Sequence, residues 1–145
     1  MTYDLLVKPR HLGRIPILAE KVPELRMMLD HIANPLIGDG VLKLWASDQV
    51  RVADIPNVYC KISGMVTEAD QADWTVNDLK PYATHVVESF GFDRVMFGSD
   101  WPVCHFVASY QQALNAALES LGPMSDTERA GFLARNANRF YNLQD

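Results

Sequence analysis

The 145-residue sequence predicts an α/β protein built on one parallel sheet, because short apolar runs alternate with longer amphipathic stretches. Each of four apolar runs is a predicted strand, and each is followed by a stretch with apolar residues at helical spacing. Parallel neighbours need a crossover connection, which is usually helical, so this alternation favours parallel pairing. The predicted strands are residues 3–7, 26–31, 57–63 and 94–100.

The length of each strand–helix unit predicts which parallel fold the chain adopts. The units repeat about every 30 residues, which is the size expected when ~250 residues hold the eight units of a (β/α)8, or TIM, barrel. Four units therefore correspond to half a barrel. A further helix is predicted over residues 125–141, where Ser125 and Glu128 form a capping box.

A small open α/β sheet of the flavodoxin type is the alternative fold. Such a sheet has no evident use for a polar residue at the end of every predicted strand. The sequence also lacks the Gly-rich phosphate loop that nucleotide-binding sheets of this kind carry. We therefore favour the half-barrel.

Composition narrows the expected partners and compartment. Hydrophobic residues make up 48% and charged residues 21%, which is typical of a globular chain. The formal net charge of -5 and the lack of long Lys/Arg runs argue against nucleic acid, and no apolar run approaches the ~20 residues of a membrane helix. Cys60 and Cys104 form no CxxC pair and follow no secretory signal, which predicts a cytoplasmic setting. A small-molecule substrate is the expected partner.

The predicted strand ends carry the residues with chemical potential. In a barrel, side chains at the C-terminal ends of the strands point into the active site. In this sequence those ends carry Lys8, His31, Lys61, Ser63 and Asp100.

Asp100 is the first predicted catalytic residue. It lies between a buried strand and Trp101-Pro102, and alternation along the strand puts it on the same face as Met96 and Gly98. Gly98 would leave room in the barrel beneath it. The functional interpretation is a general base for water or a metal ligand, and the alternative is a structural cap of the next turn.

His31 is the second predicted catalytic residue. An imidazole at a strand end can donate a hydrogen bond to a substrate carbonyl oxygen or bind a metal, whereas the alternative is a structural histidine. The adjacent Asp30 is expected to face the helices and to bond a loop.

Three further residues are predicted substrate contacts. Lys61 could hold a substrate carboxylate or form an ion pair with an acid from another strand, and the ion pair is slightly favoured. Ser63 could hydrogen-bond the substrate, and no GxSxG elbow marks it as a nucleophile. Trp101 could form an apolar pocket wall, and His105 is expected near the pocket mouth.

Five groups of segments, spread over nearly the whole chain, form a distinctive combination. They are Asp4-Leu5-Leu6-Val7 with His11-Leu12, Asp30-His31 with Pro35, Asn57-Val58 before Lys61-Ile62-Ser63-Gly64, Phe97-Gly98-Ser99-Asp100-Trp101-Pro102, and Asn136-Ala137 with Arg139-Phe140-Tyr141. Together they resemble the amidohydrolase-related family of the amidohydrolase superfamily, in particular its lactonase branch, which hydrolyses substrates such as fuconolactone and 2-pyrone-4,6-dicarboxylate.

The resemblance implies a fold and a mechanism. It maps residues 1–145 onto strands five to eight of the barrel, as a partial domain forming the C-terminal half. It implies that Asp100 is the strand-eight aspartate that activates water and that His31 is the strand-six histidine that polarises the lactone carbonyl or binds a metal. No cofactor and no metal ligand are assigned, although a divalent metal such as zinc would fit a complete barrel.

The sequence also departs from the family. The family's His-x-His pair lies on strand one, and this sequence contains no His-x-His. Strands one to four have no counterpart, so we expect a fragment that is inactive alone and that needs a complementing N-terminal half or self-association. The alternatives are a non-catalytic half-barrel that serves as an assembly module and a metal-dependent decarboxylase of the same superfamily.

Self-association is the first testable prediction. A half-barrel leaves both edges of its sheet open, and open edges pair with other chains. Inward apolar residues, for which Leu5, Met27 and Met96 are the candidates, would add to this tendency. Sedimentation of the chain should show oligomers or low solubility, and a monodisperse monomer at high concentration would contradict the expectation.

Overall fold

The computed structural model describes residues 1–143 and contains one four-stranded sheet. All neighbouring strands are parallel and are paired in chain order, with Leu29 aligned to Cys60 and Cys60 aligned to Val95. This confirms the predicted fold class of four parallel βα units followed by a terminal helix. The strands are β1 (Thr2–Leu5), β2 (Arg26–Leu29), β3 (Val58–Ile62) and β4 (Val95–Phe97).

Seven α-helices connect or follow the strands within residues 1–143, and short 3₁₀ turns join several of them. None of these helices has both the length and the apolar composition that a membrane span requires. The helices are α1 (Ile15–Lys21), α2 (Lys43–Ala53), α3 (Met65–Glu68), α4 (Val76–Phe90), α5 (Tyr110–Leu121), α6 (Asp126–Ala130) and α7 (Asn136–Tyr141). A single π-helical segment, Gly131–Arg135, joins α6 directly to α7.

The main hydrophobic core lies between the outer face of the sheet and the helices. Alternate strand residues such as Leu29, Cys60 and Ile62 are fully buried there against helical residues such as Trp45 and Leu79. Burial of these side chains on one face of the sheet is the main source of stability for such a layered arrangement, at roughly 1.5–3 kcal/mol for each large aliphatic side chain.

A second, smaller cluster lies on the inner face of the sheet. Met28 and Met96 pack there against Phe140 of α7, with Tyr59 beside them. Helix α7 therefore covers part of the face that points into a barrel. Met96 faces inward as predicted, but the prediction for Leu5 and Met27 was wrong, because both belong to the outer core. In β2 the side chain that points inward is that of Met28, the residue after Met27, because successive side chains along a strand point to opposite faces of the sheet.

The strands are shorter at their C-terminal ends than predicted, and the polar residues follow them in loops. Strand β4 ends at Phe97 rather than at residue 100, and β2 ends at Leu29 rather than at residue 31. Helix α5 begins at Tyr110, where Ser109 caps it. The capping box of Ser125 and Glu128 is present as predicted.

Asn136 provides a test of how the terminal helix is held on the sheet. Its buried side-chain amide donates to the carbonyl oxygens of Phe92 and Val95, each at 2.7 Å. Asn136→Ala leaves both carbonyl groups without this partner, so the free energy of unfolding should fall by about 1–3 kcal/mol. Urea denaturation measures this change. The exposed Asn115 on α5 serves as control, since Asn115→Ala should change stability by about 0.5 kcal/mol or less.

Candidate active site

A left-handed turn directly after β2 positions His31, one of the two predicted catalytic residues. His31, Ile32, Ala33 and Asn34 all have positive φ, between 46° and 65°. The left-handed conformation costs roughly 1–2 kcal/mol for each residue with a Cβ, and a β-branched residue such as Ile32 adopts it rarely. The turn redirects the chain at the end of the strand. The side chain of Asn34 holds the far end of the turn in place, because its amide N–H donates a hydrogen bond to the Val7 carbonyl oxygen at 2.8 Å.

The turn brings His31 next to Asp100. Asp100 follows β4 and also has a positive φ, 59°. The His31 Nε2 atom lies 3.6 Å from Asp100 Oδ1, and the side chains are 22% and 13% exposed. This separation is longer than a hydrogen bond, so both atoms are available to a third group that contacts them from the same side. The structure therefore brings the two predicted catalytic residues together at one edge of the sheet.

Two hydroxyl groups contact the atoms of His31 and Asp100 that do not face each other, which are His31 Nδ1 and Asp100 Oδ2. Ser63, just after β3, places its Oγ 2.8 Å from His31 Nδ1. Thr67 on α3 has its Oγ1 at 3.2 Å from Asp100 Oδ2 and at 2.8 Å from the Gly64 carbonyl oxygen, so one proton is shared between two acceptors. Ser63 thus contacts the imidazole directly. Its predicted role as a substrate contact stays a prediction.

Two glycines make these approaches sterically feasible. A Cβ at Gly98 would lie 2.8 Å from the Ser63 Cβ, and a Cβ at Gly64 would lie 3.0 Å from the His31 Cβ. Gly64 also has a φ of 65°, which favours glycine. Gly98 therefore leaves room for Ser63 and for the Lys61 stem, and Gly64 leaves room for the imidazole.

Lys61 is engaged in an ion pair instead of lining the cleft. Its ammonium group lies 2.8 Å from Asp4 Oδ2 and 2.9 Å from Asp30 Oδ1. The Tyr141 hydroxyl donates to the same Asp4 oxygen at 2.7 Å. The structure thus favours the ion-pair alternative, with both acids supplied by this chain. The prediction that Asp30 faces the helices was wrong, because Asp30 continues the inward alternation of Met28.

The protonation behaviour of this cluster follows from burial and charge. Burial by itself lowers the pKa of the Lys61 ammonium, but the hydrogen bonds to Asp30 and Asp4 outweigh it and raise that pKa above its usual value. Burial also raises the pKa of the Tyr141 hydroxyl to about 12. Lys61 therefore stays charged and Tyr141 neutral throughout the physiological pH range.

An open cleft of about 570 Å³ lies above the His31–Asp100 pair. Lys8 reaches its rim and forms an ion pair with Glu68 at 3.2 Å. Trp101 is two-thirds exposed and is not among the lining residues, so its role as a pocket wall stays a prediction. The cleft is lined by Leu6, His31, Asn34, Thr67, Glu68, Gln71, Asp100, Val103 and Phe106.

Several of these lining residues escaped the sequence analysis. Thr67, Glu68 and Gln71 lie in a polar segment that carried no periodic signal, and α3 within it has only four residues. Gly64 was the available signal, because a glycine directly after a predicted strand indicates a sharp turn. Val103 and Phe106 line the cleft, whereas the exposed His105 between them is not among the lining residues.

The candidate site provides an incomplete set of metal ligands. Within residues 1–143 no three His, Cys, Asp or Glu side chains converge on one point. His31 Nε2 and Asp100 Oδ1 are close enough to share an ion, but zinc takes about four ligands. The described residues could therefore supply two ligands of a divalent metal, and the remaining ligands would have to come from elsewhere.

An acid and an imidazole at the C-terminal ends of parallel strands lie where the active sites of (β/α)8-barrel proteins are built. Comparison with known proteins agrees with this fold class. Residues 8–143 match the amidohydrolase family, and the chain belongs to that family.

Its relatives include lactonases. The chain is 37% identical over 110 residues to the L-fucono-1,5-lactonase of Burkholderia ambifaria, covering 76% of this chain and 38% of that enzyme. It is 32% identical to the L-fucono-1,5-lactonase of Burkholderia multivorans, covering 99% and 52% respectively. The crystal structure of a Burkholderia multivorans amidohydrolase with bound HEPES matches at a TM-score of 0.90 and 32% identity, over 99% of this chain and 53% of that one. The chain therefore spans about half the length of most of these relatives.

Gly98→Ala tests the close packing beneath the site. The new methyl group would have to displace Ser63, whose Cβ would lie only 2.8 Å away. Overpacking of this kind costs about 1–3 kcal/mol, so the free energy of unfolding should fall by that amount in urea denaturation. Gly13→Ala is the matched control, since a Cβ there has no neighbour within 4 Å. Equal stability of the two variants would show that Ser63 does not occupy this space.

Proposed function

We propose that this chain supplies the acid–base pair of a lactone hydrolase. The observation that carries the proposal is the 3.6 Å separation of His31 Nε2 and Asp100 Oδ1 at the base of an open cleft. Lactone hydrolysis needs a base for water on one side of the carbonyl group and a donor to its oxygen on the other. Similarity to two L-fucono-1,5-lactonases supports this choice of reaction.

Asp100 acts as the general base in this proposal. A water molecule beside Asp100 Oδ1 loses a proton to the carboxylate as its oxygen bonds to the lactone carbon. The ring carbon–oxygen bond then breaks, and the proton on Asp100 passes to the departing ring oxygen. The Thr67 hydroxyl, at 3.2 Å from Oδ2, holds the carboxylate so that Oδ1 faces the cleft.

His31 stabilises the developing negative charge on the carbonyl oxygen. When Ser63 donates to Nδ1, the proton of the neutral imidazole lies on Nε2, which faces the cleft. Nε2 then donates to the carbonyl oxygen, and this bond strengthens as the oxygen becomes negative.

The cleft favours an uncharged, hydroxyl-bearing lactone over a dicarboxylate. Glu68, Gln71 and Asn34 offer hydrogen-bonding groups at its wall. Among the described residues, no Lys or Arg lines the cleft, and Lys8 and Lys61 are both paired with carboxylates of this chain. We therefore infer a sugar lactone as the substrate class, in agreement with the names of the lactonase relatives.

Catalysis in this proposal takes place in a completed barrel. The chain spans about half the length of the relatives, and the edges of β1 and β4 are open within the described sheet. Complementing strands, from an N-terminal half or from self-association, would close the barrel and exclude water from the cleft.

Asp100→Asn tests the assigned base. The change keeps the shape and removes the proton acceptor, so kcat should fall by about 10²–10⁴ while KM changes little. The measurement is steady-state hydrolysis of L-fucono-1,5-lactone by this chain joined to the N-terminal half of the Burkholderia multivorans lactonase. Asp54→Asn, at an exposed position before β3, is the control and should retain full activity.

His31→Ala in the same fusion protein tests the donor. Loss of one oxyanion donor typically lowers kcat by about 10²–10³.

For the test of the base, near-full activity of the fusion protein that carries Asp100→Asn would overturn the mechanism and return Asp100 to the role of a structural cap.

A further inference from the structure

We infer that Gln49 and Trp45, two buried residues of α2, are positioning residues that hold His31 in its left-handed turn. Neither residue lines the cleft, and neither was singled out by its sequence context. Both act through one backbone carbonyl group, that of Ile32, the residue after His31. The inference rests on the proposed function only for what His31 does in catalysis, since the geometry stands by itself.

The turn needs an external support. Four successive residues adopt the left-handed conformation, and two of them, Ile32 and Ala33, belong to types that adopt it rarely. Such a conformation persists only where the surrounding structure determines it. Within the turn, the backbone N–H of Asn34 donates a hydrogen bond to the His31 carbonyl oxygen at 2.7 Å. That bond closes the turn but does not fix it to the rest of the protein.

Helix α2 provides the support. The Trp45 indole N–H donates to the Ile32 carbonyl oxygen at 2.7 Å, and the Gln49 side-chain amide donates to the same oxygen at 2.8 Å. A carbonyl oxygen has two lone pairs, so both donors are accommodated. Trp45 is 2% exposed and Gln49 is 0% exposed, so water is not a competing partner.

The spacing of these donors matches their shared target. Positions 45 and 49 are four residues apart and therefore lie on one face of α2. That face is packed against the turn, because Ile32 itself is fully buried. If the turn relaxed toward right-handed geometry, the Ile32 carbonyl would rotate away and leave two buried donors without a partner. The burial of the donors thus opposes relaxation of the turn.

The consequence reaches the catalytic pair through one peptide unit. The two hydrogen bonds fix the orientation of the Ile32 carbonyl group and hence the backbone angles of Ile32, and Ile32 is joined to His31 by the next peptide unit of the same turn. His31 must stay within 3.6 Å of Asp100 and 2.8 Å of Ser63. Gln49 contributes to this arrangement without contact to the cleft, and its buried amide oxygen has no hydrogen-bond partner among the described residues.

Gln49→Met tests the inference in the full chain. Methionine has a similar length and removes the donor together with the amide oxygen that has no partner among the described residues. The readout is the ¹⁵N chemical shifts of the His31 ring nitrogens at one fixed pH, assigned by comparison with His31→Asn. We expect Gln49→Met to shift the signals of both ring nitrogens, because the contacts of His31 with Ser63 and Asp100 weaken. Val52→Ala is the matched control, as a fully buried residue of the same helix that offers no donor.

A second substitution separates positioning from general loss of stability. Ala33→Gly replaces a turn residue with φ of 65° by glycine, which adopts this conformation without strain. Alone it should leave the His31 signals unchanged, because the turn is already formed. Combined with Gln49→Met it should restore those signals. In the fusion protein, Gln49→Met should lower kcat about ten- to a hundredfold, with KM within about twofold, and Ala33→Gly should recover most of the loss.

The outcomes distinguish this inference from the proposed function. Unchanged His31 signals in Gln49→Met would overturn the inference, and so would a shift that Ala33→Gly fails to reverse. A shift that is reversed supports it, whether or not the fusion protein hydrolyses the lactone. Absence of lactone hydrolysis by the unsubstituted fusion protein would overturn the proposed function alone.

Discussion

The aligned parallel pairing of β2, β3 and β4 is the constraint on which the candidate site depends. Leu29, Cys60 and Val95 lie in register, so the three strands deliver their following residues to the same edge of the sheet. His31, Ser63 and Asp100 come from these three segments and meet within hydrogen-bond or near-contact distance. A slip of one residue in any pair would turn alternate side chains to the other face and separate the three groups.

The inner face of the sheet carries an apolar cluster and a charged cluster with different physical roles. Met28 and Met96 pack on Phe140 and hold α7 to the sheet. Half-buried charges lie in register with these methionines, because Asp4 is aligned with Met28 and Lys61 with Met96. Lys61 lies between Asp4 and Asp30, and the catalytic pair follows the ends of the strands. Pairing of the lysine with two acids of the same chain satisfies charges that would be costly to leave alone, and it keeps the ammonium group away from the substrate cleft.

Backbone strain is concentrated where the chemistry is proposed. His31 and Asp100 both lie in left-handed conformations, and the rest of each loop supports them by hydrogen bonds or by glycine packing. Strained backbone at a functional site aims side chains in directions that regular strand geometry does not allow. In this chain the strain brings an imidazole and a carboxylate into one cleft from two different strands.

Much of the fold and part of the site followed from the sequence. Alternation of apolar runs with amphipathic stretches predicted the parallel sheet, and Asp100 and His31 stood out because each follows a buried strand. Local periodicity carries that information. The sequence left the partner of Lys61 open. The predictions for Asp30, Leu5 and Met27 assigned these residues to the wrong face of the sheet. No pattern in the sequence indicated the roles of Thr67 and Gln49 or the left-handed turn. These features depend on contacts between residues distant in the chain and on where each short strand ends. Hydrophobic periodicity determined which layers the chain builds, whereas the orientation of its polar side chains was decided only when helices and strands packed against one another.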